Sequence, residues 1–255
     1  MKRLLAVGLL FVLIGAWASA EGVVRGPIVI RSDADFTAAN GVVAGTGSAE
    51  DPFVISGHVI DEIGADHAVF IQNTSRHFVV RDVSICGAKV AGIKVVNARN
   101  GRIEDVLVEG CVTGIMLHMV RDVTVSSTTV EDCSEGVRVL FSTAVHLQDL
   151  LVQRTRVGVW WSGVTGASLV GSTLSECDLG VQLELGCQQC LVAKNALLNC
   201  RIMARSHGRA QWDDGRCGNY WGDYSAPDED GDGILDHAYA VGPDEDRFPL
   251  ATRPE

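Results

Sequence analysis

The feature that most constrains the fold of this chain is an internal repeat of 22 residues. A glycine, then Ile or Val, then any residue and an apolar residue recur at this spacing, beginning at Gly92, Gly114, Gly136, Gly158 and Gly180. Two further apolar columns keep the same spacing: Val108, Val130, Val152 and Leu174, and Ile103, Val125, Leu147, Leu169 and Leu191. A repeat of this length indicates a solenoid, in which each coil buries its apolar side against its neighbours.

The apolar residues inside each repeat alternate with polar ones, as in Ile93, Lys94 and Val95. This period of two is typical of β-strands. Several short strands per repeat can bury a face only by stacking on the next coil, and parallel crossovers are right-handed. The sequence therefore predicts an all-β fold, a right-handed parallel β-helix of seven or eight coils.

The N-terminus predicts an exported protein. Lys2 and Arg3 precede an apolar run that ends at Trp17, and Ala18, Ser19 and Ala20 supply the small residues of a cleavage site. We expect a signal peptide over residues 1–20, an N-terminal cap with the first coils over 21–66, the repeats over 67–209 and an acidic C-terminal cap over 210–255. The predicted location is secreted or periplasmic, with no membrane span in the mature protein.

Net charge excludes one class of partner. With 21 Lys and Arg against 32 Asp and Glu, the formal charge is 21 − 32 = −11. Such a chain is repelled by nucleic acids and by anionic membrane surfaces, so we expect neither as a partner. Cations suit it better.

Three of the eight cysteines, Cys111, Cys133 and Cys177, share one repeat position, with Thr155 in the remaining coil. Stacked side chains point the same way, so we predict a ladder of buried thiols. A disulfide between Cys111 and Cys133 is the alternative.

The other late cysteines are expected to form a structural disulfide, because such bonds persist outside the cytoplasm. The candidates for this bond are Cys187, Cys190, Cys200 and Cys217. Metal binding or redox chemistry by the Cys187-x-x-Cys190 pair is the alternative.

The C-terminal segment contains a candidate calcium loop. Carboxylates stand at loop positions 1, 3, 5 and 9 with glycine at position 6, and position 7 would offer a backbone carbonyl: Asp228, Asp230, Asp232, Asp236, Gly233 and Ile234. Position 12 is Tyr239 instead of the glutamate of an EF-hand, so a single loop is expected. Close carboxylates repel each other unless a cation neutralises them. We predict that calcium orders this segment as a cap over the last coil.

Several motifs resemble the NosD-like family of exported β-helix proteins, a group named for a periplasmic accessory protein of copper-enzyme maturation. They are Gly-Asn-Tyr-Trp-Gly-Asp-Tyr at residues 218–224, the acidic run that follows, Asp-Arg-Phe-Pro-Leu at 246–250, and the segments at 35–42 and 51–55. The resemblance implies a right-handed β-helix over nearly the whole mature chain. It also implies copper handling or carbohydrate association.

Two sets of residues are candidate ligand contacts. Met116, His118 and Met119 are soft donors close together on one coil, which suits copper. Strand alternation places Trp161 inward and Trp160 outward, where an indole could stack on a sugar ring or cover a neighbouring side chain.

These observations favour an exported, non-catalytic scaffold or binding protein of the cell envelope, with a polysaccharide or another envelope component as its partner. One alternative is a periplasmic copper-handling accessory protein. Another is a polysaccharide lyase, hydrolase or epimerase, which would need two carboxylates at a working separation. The sequence assigns no catalytic residue.

Overall fold

The computed structural model describes residues 22–61, 64–207 and 209–254, so the predicted signal peptide lies outside the described residues. The chain is a right-handed parallel β-helix of about eight turns with coils of about 22 residues, as predicted. In the described part of the chain, we find no helix long and apolar enough to cross a membrane.

The regular elements are two short 3-10 helices, Asp33–Asp35 and Ala38–Asn40, and 24 strands. In chain order the strands are β1 (Val23–Val24), β2 (Ile28–Ile30), β3 (Val42–Ala44), β4 (Phe53–Asp61), β5 (His67–Thr74), β6 (Phe78–Cys86), β7 (Ala91–Glu109), β8 (Thr113–His118), β9 (Arg121–Ser126), β10 (Thr129–Glu131), β11 (Glu135–Leu140), β12 (Thr143–Gln148), β13 (Leu151–Gln153), β14 (Val157–Ser162), β15 (Ser168–Val170), β16 (Thr173–Ser175), β17 (Leu179–Leu183), β18 (Cys190–Ala193), β19 (Ala196–Leu198), β20 (Ile202–Ser206), β21 (Ala210–Gln211), β22 (Tyr220–Trp221), β23 (Tyr239–Val241) and β24 (Asp244–Asp246).

The strands form three parallel stacks around one apolar core. Stack 1 is β2, β5, β7, β8, β11, β14, β17 and β20. Stack 2 is β4, β6, β7, β9, β12, β15, β18 and β21. Stack 3 continues from the second halves of β4, β6 and β7 through β10, β13, β16, β19 and β22. Only β3 and the β23–β24 hairpin pair antiparallel among these strands.

The repeated glycine is required by the close approach of neighbouring coils. A Cβ atom on Gly136 would overlap the carbonyl oxygen of Gly158 in the next coil, and one on Gly158 would overlap the carbonyl oxygen of Gly180. The motif found in the sequence is therefore a backbone contact, repeated once per coil.

One predicted column is wrong at its last member. Leu169 pairs with Val192 and not with Leu191, which lies beside Ser168 instead. The fifth glycine-marked coil, which begins at Gly180, has 23 residues, because Trp161 pairs with Leu183 whereas Thr165 pairs with Gln188. The extra residue lies in the turn between Leu183 and Gln188.

Polar side chains at the corners form ladders along the helix axis. The Ser142 hydroxyl accepts a hydrogen bond from the Val120 amide of the preceding coil at 3.1 Å and donates to the Leu140 carbonyl at 2.7 Å. Cys133 does the same with the Cys111 amide at 3.4 Å and the Glu131 carbonyl at 3.2 Å. The thiol therefore occupies the place of a hydroxyl.

All eight cysteines are free thiols. The predicted ladder of buried thiols is confirmed for Cys111, Cys133 and Cys177. The disulfide predicted among Cys187, Cys190, Cys200 and Cys217 is wrong. Because the coil is one residue longer, Ser175 pairs with Leu198, which brings Cys200 opposite Cys177.

Candidate functional site

The predicted calcium loop brings three carboxylates together. Oxygens of Asp228, Asp230 and Asp232 lie within 4.8 Å of one another. One Asp228 oxygen is buried without a hydrogen-bond partner, whereas the other accepts from the Gly233 amide at 3.2 Å. Asp236 turns away from this cluster to accept from the Glu229 amide at 2.9 Å. The donor set suits a hard cation such as calcium.

A buried carboxylate anchors the segment that carries this loop. Asp246 has no exposed surface and accepts hydrogen bonds from the Asn219 amide at 2.7 Å, the Trp221 indole at 2.8 Å and the Phe248 amide at 3.1 Å. A Cβ on Gly218 would overlap its carboxylate. Sequence reasoning placed these residues in the motifs at 218–224 and 246–250 but did not predict that the two motifs bind each other.

A second contact closes the same end. Arg247 donates to Asp213 through two guanidinium nitrogens, at 3.0 and 2.6 Å. Burial acts to raise the pKa of Asp213, but the Arg247 guanidinium and the Arg247 and Gly215 amides together hold that pKa below its usual value. Asp213 is therefore ionised and fixed at neutral pH.

The predicted copper donors do not converge as a set of three. Met116 and His118 lie two residues apart on β8, both half-buried on its outer face. Met119 begins the corner in a left-handed conformation (φ 54°) and lines a different groove, beside Arg99 and Arg121. Two donors remain together, and Met116 has Lys94 and Arg138 on either side of it in the same column. The positive charges of these neighbours disfavour a cation there.

Trp161 is fully buried and Trp160 faces outward, as strand alternation predicts. The Arg138 guanidinium lies 4.1 Å from the Trp160 ring centroid and covers one face of the indole. Glu135 holds this arginine at 3.3 Å. A sugar contact at Trp160 stays a prediction, and the Arg138 stacking supplies a structural role for the ring.

A second group of carboxylates, formed by Glu109, Glu131 and Asp132, is held by an arginine. Arg154 binds Glu131 at 2.8 Å and Asp132 at 2.9 Å. Arg154 thus binds two of the three carboxylates, and its single positive charge compensates one of them.

Six cysteines lie as three thiol pairs: Cys111 with Cys133, Cys177 with Cys200, and Cys187 with Cys190. In each pair the two sulfurs are neighbours, while the S–H groups of Cys133, Cys177 and Cys190 donate to the carbonyls of Glu131, Ser175 and Gln188, two residues earlier in the chain. Contact between the two thiols lowers the pKa of Cys111, Cys177 and Cys187. It raises the pKa of their partners Cys133, Cys200 and Cys190. Sequence reasoning noted all these cysteines but found the pairing only as an alternative, because the 23-residue coil hid the match of Cys177 with Cys200.

The fold and these features define a right-handed parallel β-helix with clusters of carboxylates of the kind that can bind metal ions. The family model described as "Periplasmic copper-binding protein (NosD)" matches residues 28–226, which is more than half of the chain. The chain therefore belongs to the NosD family. It matches no curated protein.

The chain was also compared with solved structures of other proteins. The A-module of the mannuronan C-5 epimerase AlgE6 of Azotobacter vinelandii is similar over 76% of this chain and 54% of its own, with 17% sequence identity and a TM-score of 0.60. This chain thus spans about half the length of that structure. An alginate lyase from Paenibacillus sp. str. FPU-7 is similar over 67% of this chain and 66% of its own, with 14% identity and a TM-score of 0.47. At such identities, the likeness to the epimerase module is one of fold alone.

Proposed function

We propose that this chain is a non-catalytic binding scaffold of the periplasm and that monovalent copper is its cargo. The observation that carries the proposal is the set of three thiol pairs, in a chain whose family is described as copper-binding. Thiolates are soft ligands and select Cu(I) over hard cations. The Met116 and His118 donors form a weaker alternative, because only two of the three predicted donors share a face.

Copper binding by the reduced protein tests this function. We expect the exported, reduced protein to take up Cu(I) from a chromophoric chelator under anaerobic conditions. Protein whose thiols were alkylated beforehand should take up none. Zn(II) serves as the control metal, since its tetrahedral sites need four ligands and each pair supplies two. A protein that binds no Cu(I), or binds it equally well after alkylation, would contradict the proposal.

A second candidate function is binding of a linear acidic polysaccharide along the outer face of stack 1, where local cations would attract it although the chain as a whole carries a formal charge of −11. The observation that favours it is an outward column in which cations lie on aromatic rings of neighbouring coils. Lys94 lies 5.8 Å from the Phe70 ring, and Arg138 stacks on Trp160. One contact per coil would add up along a polymer.

Glycan binding distinguishes this function from copper handling. We expect retardation of the native protein in gels that contain an acidic polysaccharide, and weaker retardation for K94A/R138A. A neutral polysaccharide is the control for charge, and R253A is the matched control for loss of a distant exposed cation. Equal retardation of K94A/R138A and R253A would exclude the face of stack 1.

Calcium is proposed as a structural ion in the loop of Asp228, Asp230 and Asp232, where it would satisfy the buried, unpartnered oxygen of Asp228. The backbone carbonyl of Ile234 and the carboxylate of Asp236 remain predicted ligands, and the latter would have to turn from the Glu229 amide. We also propose that residues 1–20 direct export, in keeping with the periplasmic description of the family.

A further inference from the structure

The Cys187–Cys190 pair lies where the repeat is interrupted. The coil gains its extra residue in the turn before Gln188, and Leu185 in that turn is 75% exposed. Insertions in a solenoid appear as loops on one face, which is often the binding face. This pair therefore differs in position from the two pairs inside the regular corners.

The other two pairs have a structural explanation. Cys111, Cys133 and Cys177 stand in one corner column, and Thr155 fills the remaining coil of that column. The Thr155 hydroxyl lies 3.2 Å from the Cys177 sulfur, so a hydroxyl at this position makes the hydrogen bond that a thiol makes in the other coils. Hydrogen bonding along the corner accounts for these cysteines.

Cys187 and Cys190 belong to two different columns, so they are not stacked members of one ladder. Cys187 follows Ser142 and Val164 in its corner column. Cys190 stands opposite Ala167, at a position that earlier coils fill with apolar residues. Cys187 accepts from the Val164 amide as Ser142 accepts from the Val120 amide, so the corner ladder accounts for Cys187 but not for a thiol at the apolar position of Cys190.

One member of this pair borders a surface groove. Cys187, which is 3% exposed, lines the groove together with Gln188, Gln189, His207, Arg209 and Asp244. Cys190 lies directly beneath, fully buried, and donates weakly to the carbonyls of Gln188 and Val164. A cation entering the groove would meet Cys187 first.

The chemistry of the pair suits a soft monovalent cation. Cys187 and Cys190 present two neighbouring sulfurs, and a coordinating metal ion deprotonates a thiol ligand outright. Cu(I) accepts two thiolate ligands, whereas zinc sites need four. On binding, two S–H bonds are replaced by two Cu–S bonds and two protons are released, with no change of oxidation state.

We propose that Cys187 and Cys190 form the principal Cu(I) site of this chain, a chelating pair at the mouth of the groove in the 23-residue coil. The assignment rests on the proposed copper function and adds the place where the metal binds. The thiol pairs of the regular corners are then part of the scaffold.

The test is a competition titration of the reduced, full-length mature protein with Cu(I) held by a chromophoric chelator under anaerobic conditions. The test variant is C187S/C190A, because serine and alanine already occupy these columns at Ser142 and Ala167. The matched control is C111T/C133T, because threonine already occupies that column at Thr155. Thermal unfolding followed by circular dichroism verifies that both variants fold.

We expect the tightest-bound copper to be lost in C187S/C190A and kept in C111T/C133T. The affinity should fall by at least about 100-fold, since removing even a group that supports a ligand costs roughly 10–100-fold. X-ray absorption of the wild-type complex should show sulfur neighbours of copper that are missing in the test variant.

Three results would overturn the assignment, and they are distinguishable from failure of the function. Copper kept by C187S/C190A, or lost equally from both variants, would leave the copper function in place but exclude this site. A Cys187–Cys190 disulfide in protein exported by copper-replete cells would also exclude it. No copper binding by the wild-type protein would refute the function itself.

Discussion

The regular coils and the C-terminal end of this β-helix are stabilised in different ways. Between Gly92 and Leu183 the coils repeat the same apolar columns, and similar corner hydrogen bonds recur in several of them. Beyond Leu183 the coil length changes, and a single polar network centred on Asp246 takes over. The stability of the middle is shared among many equivalent contacts, whereas the end depends on a few that occur once.

The reason for the difference is the lack of a following coil. Asn195 and Asn219 continue a corner ladder that holds Ser172. The Asn219 side-chain amide also donates to the carbonyls of Val192 and Trp212, at 2.9 and 2.8 Å. Side chains at the end thus satisfy the backbone groups that stacking satisfies elsewhere.

The largest expected effect is that of D246A. It would leave the buried donors of Asn219, Trp221 and Phe248 without an acceptor, which we expect to cost about 4 kcal/mol at roughly 1–3 kcal/mol per group. Hydrogen exchange should accelerate beyond residue 195 and change little in the middle coils, because solenoid units interact with their nearest neighbours. The control is E245A, an exposed residue of the same hairpin. Equal acceleration throughout the rod would refute the contrast between the two regions.

The second-largest expected effect is the stabilisation of the folded protein by calcium. Saturation at about 100 times the dissociation constant should raise the free energy of unfolding by about 2.7 kcal/mol. The effect should disappear with a chelator and in D228N, whose unpartnered oxygen is lost as a ligand. E229Q removes the same charge at a neighbouring exposed position and should keep the calcium effect. Differential scanning calorimetry with and without calcium measures the effect in wild type, D228N and E229Q. A wild-type melting temperature that calcium leaves unchanged would exclude the ion.

A substitution in the middle coils sharpens the comparison from the other side. G136A places a methyl group against the Gly158 carbonyl, so the two coils must separate locally. We expect a loss of about 2 kcal/mol, in the range of overpacked cores. Q148A, on an exposed face of a neighbouring coil, should change stability by less than about 0.5 kcal/mol. Urea unfolding distinguishes the two, and similar values would show that coil contact is not limiting.

The smallest effect concerns pH. The pKa of Asp213 is depressed in the folded state, so its contribution to stability is present above the unfolded value of about 3.9 and is lost as pH falls below it. We expect wild-type protein to lose about 1 kcal/mol more than R247M between pH 5 and pH 3. R253M, which removes an exposed arginine bound to Thr173, should behave as wild type. Parallel acid losses in R247M and wild type would contradict this role of Arg247.

The coils were predictable because periodicity specifies them. The columns at Val108 and Ile103 and the inward position of Trp161 follow from the 22-residue spacing and strand alternation. The same rule fails at Leu191, since one inserted residue shifts everything after it. Periodicity can detect such a shift only where a recognisable column continues after the insertion. Cys200 continues the column of Cys177, but it follows Cys177 by 23 residues instead of 22.

The sites were less predictable because they depend on single contacts. Strand alternation allows Met116 and His118 to face the same way and places Met119 at the start of a corner, but the left-handed backbone conformation of that corner follows from no residue-type rule. The carboxylate spacing correctly placed Asp228, Asp230 and Asp232 together. The partners of Asp246 lie some 25 residues earlier in the chain, and no repeat links them.

The position of Asp246 has a consequence for how the rod forms. A polypeptide grows from its N-terminus, so each coil can close on the one before as soon as it is made. The last coil is closed by a hydrogen bond from the Asn219 amide to Asp246, which is synthesised 27 residues after Asn219. Until then the newest edge presents unpaired strand groups, which are a template for joining another chain. Assembly is thus safest when the final segment emerges quickly after the coils it closes.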